Sequence, residues 1–172
     1  IWFDNDEVTL AAELQISLTD DPRLDLYAEA FAPDANIADH YFPLKAMSPE
    51  LVSYLNDAIK GGEVSKAQVL FAGPLSGFPF TDGSGQFDVL AQIDNATYEF
   101  DPDWPAVTNA NVQLHFANER MDIYSQQGKL VNLDIGNSVQ VSIADLMNAD
   151  ELIVQIDKKA EMEKLHDFFA AT

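Results

Sequence analysis

From Val8 through Leu10, Ala12, Leu14, Ile16 and Leu18, apolar residues occupy every even position, with Thr9, Glu13, Gln15 and Ser17 between them. A helix would scatter such a set around its circumference, whereas an extended chain collects it on one face, so this segment is a half-buried strand. Asp20-Asp21-Pro22 has turn composition. Leu24, Leu26, Ala28, Ala30 and Ala32 then resume the alternation up to Pro33, and the pair is expected to form an antiparallel hairpin.

Strand signals recur at Val64 to Ala72, Phe87 to Ile93, Ala96 to Phe100, Ala110 to Phe116, Met121 to Tyr124, Leu130 to Ile135, Val139 to Ile143 and Leu152 to Ile156. The residues between them, Gly83-Ser84-Gly85, Asp94-Asn95, Asn118-Glu119, Gln127-Gly128 and Gly136-Asn137, read as tight reversals. Tight reversals join antiparallel neighbours, so the expected topology is a meander of about 8–10 strands. Ten strands at ~4.8 Å would make a sheet roughly 45 Å across, which must curl, split into two layers or close.

Two amphipathic helices complete the expected fold, α+β and predominantly β, with the sheet an open half-pipe or a sandwich. The first, near 48–60, has Ser48 as N-cap, Pro49 and Glu50 in its first turn, the stripe Leu51, Leu55 and Ile59, and Gly61-Gly62 as a left-handed stop. The second, near 159–170, carries Met162, Leu165, Phe168 and Phe169 at helical spacing. Two helices cannot cover so wide a sheet, which leaves part of its apolar face for something else; a sandwich covering its own face fits the pattern equally well.

At 172 residues the chain has the size of one domain, expected to span 1–172. Nine Lys and Arg against 29 Asp and Glu give a formal charge of −20, which repels nucleic acid and anionic membrane surfaces. No apolar run reaches the ~20 residues of a membrane span, so direct membrane insertion is not expected. There is no cysteine, hence no disulfide framework and no thiolate nucleophile or ligand. The start at Ile1 and the missing leader suggest a piece of a longer protein.

No constellation announces a reaction. His40, His115 and His166 stand far apart and fall into no zinc spacing, and His115 and His166 read as solvent-facing polar positions. The segment Asp82 to Asp88 imitates a calcium loop but has Phe87 where the glycine belongs and Ile93 where the closing glutamate belongs. Gly73-Pro-Leu-Ser76-Gly77 has the wrong spacing for a nucleophile elbow, and no phosphate-binding glycine motif follows a strand. Asp101 and Asp103 beside Trp104 offer a carboxylate pair of the kind glycan-acting enzymes use, but Asp-Pro is a common turn former. Neither an enzyme nor a cofactor or metal is expected.

The individual stretch of the chain is Tyr41 to Pro105. Tyr41-Phe-Pro-Leu44, Tyr54-Leu-Asn-Asp-Ala-Ile-Lys-Gly-Gly62, Gly73-Pro-Leu75 with Phe78-Pro-Phe80, Gly85-Gln-Phe87 and Trp104-Pro105, in that order and spacing, resemble the YhdP family of AsmA-like bacterial envelope proteins. The resemblance implies an internal fragment of a large periplasmic protein anchored in the inner membrane. It further implies stacked curved sheets forming a half-pipe that shelters phospholipid acyl chains on their way toward the outer membrane. Its partners would be those chains and neighbouring segments of the same protein. Such a groove needs an apolar lining and no catalytic residue, each sheltered CH₂ contributing ~0.8 kcal/mol. The candidate lining comprises apolar alternates of the later strands, Val112, Leu114, Phe116, Val131, Leu133, Val139, Val141, Val154 and Ile156, for each of which ordinary core packing is the stronger reading from sequence. A closed structural or binding module of the envelope is the competing expectation.

Overall fold

Ten strands account for most of the described chain, and they form one antiparallel sheet. The computed structural model describes residues 1–41, 49–99, 105–131, 133–136, 139–148 and 153–156. In chain order the strands are β1 (Trp2–Asp4), β2 (Thr9–Ser17), β3 (Arg23–Ala32), β4 (Ile59–Pro74), β5 (Gln86–Tyr98), β6 (Val107–Ala117), β7 (Arg120–Leu130), β8 (Leu133–Asp134), β9 (Val139–Ile143) and β10 (Ile153–Ile156). Each pairs with its sequence neighbour, except that the two-residue β8 folds onto the end of β7 and β9 pairs with β7 directly. β1 and β10 are the free edges, so the sheet curves without closing and the sandwich alternative does not form. One α-helix, α1 (Pro49–Ala58), and a 3₁₀ segment (Ala35–Tyr41) lie between β3 and β4. The expected helix near 159–170, the Ser48 cap and the Asp101–Trp104 group lie outside the described residues.

Several expected turns are instead bends within long strands. β5 runs through Asp94-Asn95, where Asn95 takes φ 52° and its N–H donates to Asn111 Oδ1 at 3.2 Å. Asn109, opposite in β6, also takes a positive φ, 51°. Asparagine tolerates the left-handed conformation in a bulge as readily as in a turn, so composition does not distinguish the two. Gln127-Gly128 likewise stays inside β7, and the reversal comes later, at Val131 with φ 56°, so Leu130 to Ile135 is a hairpin corner and not one strand.

Gly61-Gly62 is also not a helix stop. α1 ends at Ala58 and passes directly into β4, because β5 captures that end: Glu99 N–H donates to Ala58 O at 2.9 Å and Ile59 pairs with Tyr98. Gly62, at φ 131°, sits in a bulge where a Cβ would lie 2.9 Å from Ile93 Cγ2 and 3.0 Å from Ala96 Cα. Register shifts at this level run across the sheet, after Ala30 in β3, between Ile59 and Lys66 in β4, after Ile93 in β5 and after Thr108 in β6. Bulges bend strands and add twist, and a line of them across neighbouring strands bends the whole sheet.

The two faces differ in chemistry as the alternation demands. On the outer face Glu29, Gln68, Leu90, His115, Asp122 and Ser142 are successive cross-strand partners. Gln68 Nε2 donates to Tyr27 Oη (2.9 Å) and Glu29 Oε1 (3.0 Å), and His115 lies 3.3 Å from Asp88. His115 is thus a surface polar position, as its alternation with Leu114 and Phe116 suggests. Arg120 donates to both oxygens of Asp122 at 2.6 Å, and this pairing holds the Asp122 carboxyl below its ordinary pKa, against a smaller opposing effect of burial. A depressed folded-state pKa stabilises above the unfolded value of ~3.9 and is lost as pH falls through the lower folded value. Urea titrations should therefore show Asp122→Asn less stable than the parent by about 1 kcal/mol at neutral pH, Arg120 being half exposed, with the gap closing below about pH 4.

Candidate functional site: an apolar trough

On the inner face the register assembles single apolar residues into continuous rows. Leu10, Ala30, Ala67, Ala91, Leu114, Ile123, Val141 and Val154 are successive partners from β2 to β10, and Phe3 on β1 extends the row to the other edge. A parallel row joins Ala12, Ala28, Val69, Val89, Phe116, Met121 and Ile143. Bulges let the apolar face persist although its residues change parity, from Ile93 to Ala96 in β5 and from Val107 to Ala110 in β6, all four lining the trough.

Between their outermost members, Phe3, Ala12, Ile143 and Val154, these rows floor a trough of about 470 Å³. Its lining contains no charged residue, and Thr97, Tyr98 and Ser125 bring its only polar side chains among the described residues. Tyr98 Oη–H donates to Tyr54 Oη at 3.0 Å, and burial, reinforced by that bond, raises its pKa well above the ordinary phenol value, so it stays neutral. Ser125 Oγ–H donates to Gln127 O at 3.0 Å. The hydroxyls of Tyr98 and Ser125 are therefore engaged with the protein, and the lining presents no charge to an apolar ligand.

The floor has two halves. Over β3 to β5 it includes Ala28, Ala30, Ala67 and Ala91 among larger residues such as Leu26, Val69 and Val89, and the small side chains leave depth above the sheet there. Toward β6 to β9 the residues are larger and the space is partly filled. Ile135, Val107, Ala110, Leu130, Val139 and Val141 form a buried cluster with Ala35 of the 3₁₀ segment, and Met121, Ile143 and Leu146 form another with Leu55 of α1. Leu55 and Ile37 also line the trough, as a roof opposite the floor.

At one end Phe71 and Phe87, paired across β4 and β5, meet Phe78 and Phe80 from the following loop. Ring centroids are 5.2–6.3 Å apart, and Phe71 stacks on Phe78 with planes 13° apart. Phe80 is 1% exposed, so Phe78-Pro-Phe80 folds over the sheet and packs its end.

Of the residues nominated from sequence, Val112, Leu114, Phe116, Val139 and Val141 line the trough. Val139 and Val141 also belong to the packed cluster with Ile135. Val131 stands at the turn after β7 and Leu133 on the short β8, and neither is among the lining residues. Val154 is 41% exposed at the β10 edge, in register with Val141. Ile156 is at the end of β10, paired with Val139, and its side chain lies outside the described residues. The alanine floor of β3 to β5 was not nominated; its signal, the alternation of Ala28, Ala30 and Ala32, was present, but the register that sets it opposite Ala67 and Ala91 is not a property of any one segment.

Elsewhere, His40 lies 3.8 Å from Glu7 at the surface, and no group of three His, Asp or Glu among the described residues could hold a metal ion. No described helix is long and apolar enough to cross a membrane. Comparison with known proteins places a match to the family model "YhdP protein" across residues 1–172. The chain is 33% identical over 153 residues to the intermembrane phospholipid transporter YhdP of Escherichia coli (strain K12), an alignment covering 89% of this chain and 12% of that protein. No solved structure matches the chain.

Proposed function

The chain belongs to the YhdP family, and from that membership we propose that it is one segment of a periplasmic conduit in which phospholipid acyl chains travel along the apolar inner face of the sheet. The observation that carries this reading is the edge-to-edge apolar row, exposed at both of its ends: Phe3 is 48% and Val154 41% accessible. A self-contained core would bury its apolar residues and finish its edges with polar ones. Here the apolar row runs on past the trough lining to both free edge strands, which is what a segment continued on each side by further sheet requires.

No step of bond making is involved, and this segment acts as a non-enzyme. An acyl chain leaving a bilayer exposes its methylenes to water, each costing ~0.8 kcal/mol. An uncharged lining returns most of that cost without fixing the lipid at one point, because a hydrophobic surface has no directional bonds to break between neighbouring positions. The headgroup stays in water at the open side. The site is therefore spread over many residues, Ala67, Ala91, Val69, Val89 and Leu114 at its centre, and the whole 1–172 segment is read as one structural unit of a longer protein in the bacterial envelope, anchored in the inner membrane outside this segment.

Native mass spectrometry of the chain after expression in a bacterial host tests the proposal. Phospholipid masses retained on the folded protein are expected. A clean apo mass under conditions that preserve the fold would favour a structural module of the envelope instead.

A further inference from the structure

α1 is attached at two distant places. Its last residue, Ala58, is bound by Glu99 at the end of β5, while Leu55 is 5% exposed in a cluster with Met121 at the start of β7, Ile143 at the end of β9, and Leu146. Leu146 N–H in turn donates to Glu119 O at the β6–β7 hairpin tip, at 2.8 Å. Tyr54 packs edge-on to Tyr98, ring centroids 6.5 Å apart. The helix therefore bridges the trough face from one set of strand ends to the opposite set, and Leu55 forms part of the roof.

From this bridging we infer that α1 is a gate across the conduit, which opens by leaving its Leu55 seat to let a lipid pass. The inference rests on the conduit reading above. An acyl chain can slide over the apolar floor beneath Leu55, but a phospholipid carries a polar headgroup, and drawing that group under an apolar roof would strip its hydration with no polar partner to replace it. The headgroup must stay at the open side, where a helix seated on both sides of the trough stands in its path. A lipid moving from β2 toward β10 then passes only when the helix lifts. The seat suits such a motion, because α1 is a helix of only ten residues whose described contacts away from its β4 end include the buried Leu55, the partly buried Val52 and the Tyr54–Tyr98 pair, while its connection to β4 is fixed by the β5 pairing.

The chain has no cysteine, so Leu55→Cys with Leu146→Cys supplies a unique pair in this segment, to be bridged by a bis-methanethiosulfonate that a reductant removes. In cells making the intact protein that carries this segment, benzoylphenylalanine placed at Leu10 or at Val154 reports lipid on either side of the helix as a photo-adduct. With the helix bridged, the adduct is expected to persist at one position and fall at least fivefold at the other, and to recover on reduction. Equal adducts at both positions in the bridged protein would overturn the gate while leaving the conduit standing. Absence of adducts at both positions in the unbridged protein would overturn the conduit reading itself, and the gate with it.

Discussion

Tryptophan in place of Ala67 or Ala91 is expected to lower the phospholipid retained on the protein by about tenfold or more, with the β-sheet intact. The two alanines are direct partners on β4 and β5, both half-buried, in the middle of the trough floor. An indole there projects into the trough and takes up much of its volume of about 470 Å³. A tenfold loss corresponds to ~1.4 kcal/mol, which at ~0.8 kcal/mol per CH₂ is the shelter of only about two methylenes. A ring that displaces more than that from the floor should exceed the threshold. The matched controls are Gln68→Trp and Leu90→Trp, next along the same strands and facing the outer side, which should keep their lipid. Native mass spectrometry supplies the lipid ratio and far-ultraviolet circular dichroism the fold. Undiminished lipid on a folded Ala67→Trp protein would remove the trough from the path.

The fold class and most of the site's chemistry were legible because the alternation in β2, β3, β6 and β9 is nearly unbroken, and a period of two has one structural meaning. What was not legible traces to tertiary causes. Asn95, Asn109 and Gly62 carry the composition of turns, but pairing with the neighbouring strand turns each into a bulge, so two predicted strands merge into β5 and a predicted helix stop becomes part of β4. α1 ends where β5 takes its last carbonyl, a signal 41 residues away in sequence. The nominated lining leans on later strands, whose large residues stand out, whereas the trough floor over β3 to β5 also includes small ones. Alanine on a strand carries little information by itself; its meaning here comes from facing other alanines across the ladder, as Ala30, Ala67 and Ala91 do.

Edge chemistry follows the same logic. β1 presents Trp2 at 71% and Phe3 at 48% exposure on a three-residue edge strand, and β10 presents Ile153 and Val154. An isolated domain with two such edges invites pairing with other chains. In the proposed conduit they are joints, and the excess of acids over the outer surface helps keep unpaired segments apart.

Phe80→Ala should be the most destabilising single truncation at the aromatic end of the trough, by about 3–5 kcal/mol. Phe80 is 1% exposed and contacts the rings of Phe71 and Phe78, whereas Phe78 is only half-buried and its truncation should cost less. The site is also unable to collapse on the vacated space from the backbone side, because the strands already approach as closely as they can: Gly73 and Gly85 face the Phe80 ring with no side chain of their own. The same geometry makes Gly85→Ala costly in the opposite sense. A Cβ there would lie 2.5 Å from Phe80 Cε1 and 2.7 Å from Ala72 O, and relieving the clash must displace either the ring or β4, for a loss of about 1–3 kcal/mol. Because one change empties the space that the other overfills, the pair should not be additive: in Phe80→Ala the added methyl meets a cavity, and urea titration of the double variant should give a smaller loss than the two single losses combined. Strict additivity would show that the ring and the glycine do not share that space, and that Phe78-Pro-Phe80 is held over the sheet by something other than the contact with Gly85.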